Sequence, residues 1–177
     1  ALFWFRWAAV ATIITGLLVA YLSGYAHEAM TLGIGSGGGK YTAIGIGMWL
    51  GLIMAFNVWF IIWPNQKKVI AGTDDAAQAG AKAALASRTN TLFSFPMLYF
   101  MIYSAHISEG KNYFYEIPGV AASGWSMPAL YVGTAIILAI EANAIFGKMR
   151  KFMESVKAVI HSGLILTVLF ALLVYYY

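Results

Sequence analysis

The chain of 177 residues contains no cysteine, and that one absence excludes several kinds of site. Disulfides, thiolate metal centres, iron–sulfur clusters and a covalent CxxCH haem all require the missing thiol. Charge is scarce too: 10% of residues are Asp, Glu, Lys or Arg, against 61% hydrophobic, and mean hydropathy is +0.74. A soluble domain carries about 25% charged residues. With three histidines and no HExxH, GxSxG or EF-hand spacing, no metal site is expected. No lipidation motif is present, and the first segment is too long and aromatic for a cleaved signal peptide. Nothing in the charge pattern suits nucleic acid.

What is present is long apolar segments, and they predict an all-α fold. The expectation is a polytopic helical membrane protein, one domain over 1–177, with about five transmembrane helices and a short surface helix. The spans are read at 3–25, 42–63, 91–107, 128–147 and 156–177. An aromatic belt with Arg6 opens the first, and Trp63-Pro64-Asn65 is expected to end the second. Between the second and third, Asp74 and Asp75 read as an N-cap for an alanine-rich helix lying along the membrane surface. Pro96 is expected to kink or start the third. Gly33, Gly35 and Gly38 spell GxGxxG, but the run lies between spans, so a connector is the better reading.

Basic residues set the expected orientation. Lys67, Lys68, Lys82 and Arg88 precede the third span, and Lys148, Arg150, Lys151 and Lys157 surround the last turn. The opposite loops hold only Lys40 and Lys111. The positive-inside rule then places the N-terminus in the cytoplasm and the C-terminus in the periplasm, across a bacterial inner membrane.

The rare polar groups are the candidate site. Glu141 sits inside an apolar span, where an ionised carboxylate is costly unless it meets protein, water or a cation. An antiparallel neighbour joined by a basic turn would bring His161 to similar depth, as a proton relay or as a polar pair clasping two helices. Arg6, Asn57, Arg88 and Asn90 are candidate substrate contacts. His27 and His106, at the ends of the first and third spans, are candidate axial ligands for a non-covalent haem, or else plain interfacial imidazoles.

Several stretches resemble a known family. MWLGLIMAFNVWFIIWPNQKKVI at 48–70, ALASRTNTLFSFPMLYFM at 84–101, EANAIFGK at 141–148 and AVIHSGLIL at 158–166 look like the membrane domain of bacterial membrane-bound urate hydroxylases. The resemblance implies oxidation of urate towards 5-hydroxyisourate, with electrons passed to a fused C-terminal cytochrome c domain. This chain corresponds to the later part of that membrane domain and carries no cytochrome extension. No catalytic residue is carried over; Glu141, His161, Asn57, Arg88 and Asn90 are polar positions inside the matching segments.

The first expectation is therefore a membrane subunit of a larger respiratory or redox complex, more an accessory subunit than an enzyme by itself. Its partners would be the lipid bilayer, other membrane subunits and a cytochrome c. The first alternative is a compact urate hydroxylase that passes electrons to a separate cytochrome c. A purely structural or proton-conducting subunit is the other.

Overall fold

The structure, a computed structural model, describes residues 2–34, 40–107 and 127–176. Most of the glycine run and the aromatic connector at 108–126 lie outside the described residues, as do the expectations placed on them. Among the described residues every regular element is helical. Helix α1 covers Leu2–Leu22, and a short α2 covers Ala26–Met30. Helix α3, Lys40–Phe56, passes through a π-helical turn at Asn57–Ile62 into α4, Trp63–Ala71. Helix α5, Ala76–Ile102, ends in a second π-turn at Tyr103–Ile107. Helix α6, Met127–Phe146, and α7, Val156–Tyr176, are joined through a 3₁₀ turn at Lys151–Met153.

Three of these elements are long and apolar enough to cross a membrane: Phe3–Leu22, Tyr41–Ala71 and Val156–Leu173. Leu130–Phe146 is apolar but shorter. Much of this apolar surface faces outward, with Trp4 76% and Ile165 68% exposed. Such surface in water would be a liability; against hydrocarbon it is ordinary.

Helix α5 is the hub, packing against α3, α4, α6 and α7. Its buried positions Ala79, Ala83, Ala86, Thr89, Phe93, Pro96 and Phe100 recur every three or four residues, which makes one continuous inward stripe. Phe93, Phe100 and Phe170 are fully buried at the centre, with Leu50 and Leu92 beside them. Helix α1 packs mainly along α2, α3 and the first π-turn, touches the start of α4 through Arg6, and stays exposed over most of its length.

Two expectations change here. The second apolar helix does not end at Trp63-Pro64-Asn65; it runs on to Ala71 and stops at Gly72, which takes a left-handed φ of 63°. Proline is tolerated because it falls in the first turn of α4, directly after the π-turn, where the ladder is already broken. The alanine-rich segment is not a separate surface helix either. It is the first half of α5, antiparallel to α4 across a short turn, and the pair forms a hairpin. Pro96 lies buried inside this helix without ending it. Asp75 does occupy the N-cap position of α5, yet makes no capping bond. Its carboxylate instead accepts from Lys68 Nζ at 2.6 Å and Thr73 Oγ1 at 2.7 Å, closing the hairpin turn.

Candidate functional site

Three side chains from three elements meet between α5, α6 and the first π-turn. Asn57 opens that turn, Asn90 lies mid-way along α5, and Glu141 lies in the last third of α6. Glu141 is in phase with Leu130, Gly133, Ile137 and Ala144, the buried stripe of α6, so helical periodicity alone turns its carboxyl inward. Asn57 continues the buried stripe Ala43, Ile46, Leu50 of α3 in the same manner. Asn57 is 0% and Glu141 8% exposed.

The Asn57 amide is the centre of the cluster. Its Nδ2 donates to Asn90 Oδ1 at 2.9 Å and to Glu141 Oε2 at 3.0 Å. Asn90 Nδ2 in turn donates to the Met54 carbonyl at 2.9 Å, one turn before Asn57. These bonds fix the amide orientation, because the flipped Asn57 would set its oxygen against two other oxygens. Two acceptors are left over: Asn57 Oδ1 and Glu141 Oε1 are buried with no hydrogen-bond partner. Among the described residues no cation pairs with Glu141. The arrangement is a carboxyl group held by one oxygen, with its second oxygen able to take or release a proton.

His161 is not part of it. The inward face of α7 carries Val159, Gly163, Leu166 and Phe170, and residue 161 falls about 200° from its neighbours two places away. Its imidazole is exposed, and the expected Glu141–His161 pair is replaced by Glu141–Asn57. Glycine at 163 matters to the same interface, since Phe95 of α5 lies where its Cβ would be.

Arg88, the other expected substrate contact on α5, bonds within the chain. Its Nη1 donates to the carbonyls of Met153 at 2.5 Å and Glu154 at 2.6 Å, with Met149 Sδ at 3.5 Å. The guanidinium therefore clasps the connection between α6 and α7 onto α5. Arg6 sits among aromatic rings instead, 4.1 Å from the Trp63 centroid and 5.1 Å from that of Trp59, with Phe3 and Trp7 close by. His27 on α2 and His106 in the second π-turn are both exposed. An exposed pair does not make the enclosed pocket that a haem needs, so no step is assigned to one. Among the described residues no group of three or more His, Asp or Glu is placed to hold a metal ion.

Of the residues singled out from sequence, then, Asn57, Asn90 and Glu141 come together. Sequence alone groups the asparagines with substrate contacts and the glutamate with His161, because helical phase is invisible where every face is apolar.

The urate oxidase N-terminal family matches residues 32–132, more than half of the chain. Asn57 and Asn90 lie inside the matched stretch, and Glu141 lies just beyond it. No curated protein and no solved structure matches the chain.

Proposed function

Because the chain belongs to the urate oxidase N-terminal family, we propose that it is the helical membrane module of a urate-oxidising redox assembly, with Glu141 as its proton-exchange group. The chemistry asks for such a group. Converting urate and water to 5-hydroxyisourate releases two electrons and two protons, so a proton acceptor and an electron acceptor are both needed. These 177 residues contain no cysteine to attach a c-type haem, so in this reading the electrons leave them for a haem or other redox centre held elsewhere in the assembly.

The observation that carries the reading is the state of Glu141: buried between three elements, tethered through Oε2, with no cation beside it and Oε1 unpartnered among the described residues. Intramembrane carboxylates of this kind mark proton or substrate paths more often than they mark stability. In this reading five apolar segments cross the inner membrane, the basic loops face the cytoplasm and the C-terminus faces the periplasm. The hairpin of α4 and the first half of α5, which carries Lys67, Lys68 and Lys82, then projects from the cytoplasmic face.

The test is urate-dependent reduction of cytochrome c by membranes containing the chain and its co-purifying partners. Glu141→Gln keeps the shape and a hydrogen-bonding end but removes proton exchange. A fall of about 10²-fold or more in turnover is expected, with assembly unchanged. The second reading, a hydrogen-bond clasp between helices, rests on the same Asn57–Glu141 bond. It wins if Glu141→Gln retains full turnover while Glu141→Leu loosens the bundle.

A further inference from the structure

A second site lies on the opposite side of the first π-turn. The groove between α1 and the end of α3 has a volume of about 470 Å³, is largely open on its outer side and is almost wholly apolar, with Ile13, Ile14, Leu52, Phe56 and Phe60 among its walls. Its size is within the range of small-ligand sites. Trp59 lines the groove and also stacks on Arg6, so the groove runs directly into a cationic end. Arg6 precedes the groove residues of α1 by about one turn. Lys67 lies 4.2 Å from the Trp63 centroid, the same ring that Arg6 faces at 4.1 Å. Two cations are thus anchored to one indole at the rim. Among the described residues no carboxylate pairs with Arg6, and its Nε is buried without an acceptor.

We infer that this groove holds one anionic phospholipid, its acyl chain along the α1–α3 walls and its phosphate on Arg6 with Lys67 beside it. The order of parts matches a lipid: charge at the belt of tryptophans, hydrocarbon one turn deeper. A guanidinium stacked on rings keeps its planar edge for a bidentate contact with phosphate, which an ammonium cannot copy. A zwitterionic headgroup would bring a third cation towards Arg6 and Lys67, so the site selects net negative lipid. The inference requires α1 and α3 to lie in a bilayer. That premise is checked separately, by whether the chain resists extraction of membranes with alkaline carbonate.

The experiment is native mass spectrometry of the purified full chain incubated with phosphatidylglycerol or phosphatidylcholine. One phosphatidylglycerol per chain is expected to survive detergent stripping in preference to phosphatidylcholine. Arg6→Gln should weaken its retention roughly tenfold, the size of one charge-assisted hydrogen bond. Ala55→Phe, which fills the groove, should lower retention of either lipid. Equal retention of the two lipids by the unaltered chain would overturn the inference, as would a loss with Ala55→Phe alone. Should Arg6→Gln fail to fold, the unaltered chain still decides. Phosphatidylglycerol with brominated acyl chains must quench tryptophan emission more than its phosphatidylcholine counterpart, and equal quenching refutes the site. In a chain that resists carbonate, either refutation removes the lipid site and leaves the membrane placement standing.

Discussion

Asn57 spends both amide hydrogens inside the helix cluster, one on Asn90 and one on Glu141. Replacing it with leucine would strand an acceptor on each partner. A buried group left unpaired costs about 1–3 kcal/mol, although bonds between helices within a membrane average nearer 0.6 kcal/mol. Asn57→Leu is therefore expected to destabilise by about 1–2 kcal/mol, read from thermal or SDS-induced unfolding in detergent. Asn90→Leu should cost less, because Asn57 keeps its bond to the carboxyl. Equal losses would mean that the Met54 carbonyl, and not the carboxyl, governs the cluster. Asp75 gives the pH-dependent counterpart outside the apolar layer. Hydrogen bonding from Lys68, and then from Thr73, holds its carboxyl below the ordinary 3.8. A depressed carboxylate contributes stability that is complete above that ordinary value and is lost as pH falls through the folded one. Hydrogen exchange of amides 72–76 should accordingly speed up only below about pH 4 once corrected for intrinsic rates. Unchanged protection there at lower pH would show that the Gly72 cap closes the turn by itself.

At the scale of the elements, glycine decides how near two backbones come. A Cβ at Gly45 of α3 would run into the backbone carbonyl of Ala29, which is why α2 can lie flat on α3. Trp49 Nε1 and Thr42 Oγ1 then donate to the Met30 and Leu32 carbonyls, at 3.1 and 2.8 Å, and fasten the turn that leads out of α2. Gly45→Ala should cost about 1–3 kcal/mol through overpacking, whereas Gly16→Ala, with open space around it, should be neutral or slightly stabilising. The same unfolding assay separates the two. Arg88→Gln should free the 149–155 connection, seen as faster proteolysis there while α5 stays protected. The helix positions of α1, α6 and α7 were legible in sequence because long apolar runs have little else to become. Their rotation was not. When both faces of a helix are apolar, periodicity carries no phase, so Glu141 and His161 looked like partners although one faces the core and the other faces out. Pro64 misled for a different reason. A proline normally marks a helix boundary, but a π-turn just before it absorbs the missing hydrogen bond, and nothing in the local letters announces that turn.

For the whole molecule, the apolar exterior is the main energetic fact. Within lipid, helices gain little from burying hydrocarbon against hydrocarbon, and close packing with a few polar bonds must hold the bundle instead. The buried Phe93, the Phe100–Phe170 ring contact, the Phe95–Gly163 contact and the Asn57 cluster supply both kinds. If the apolar elements cross the bilayer as proposed, an odd number of crossings puts the two termini on opposite sides. A tag after Tyr177 should then be digested by protease added to intact spheroplasts, while one before residue 1 should be protected; the reverse pattern would invert the proposed topology. The π-turn at Asn57–Ile62 has a last consequence for the molecule as a whole. Structurally it is one surplus residue in an otherwise regular rod. Its six residues turn through about the same angle as five in an α-helix, so the helices on either side of it stay in phase. Deleting Phe60 would close the rod into plain α-helix with Asn57 still at Glu141 and Trp63 still facing Arg6. Ironing out the turn with every residue kept would instead swing Trp63 and Lys67 about 100° away from Arg6. The bulge thus sets the phase between the Asn57 cluster and the cationic rim.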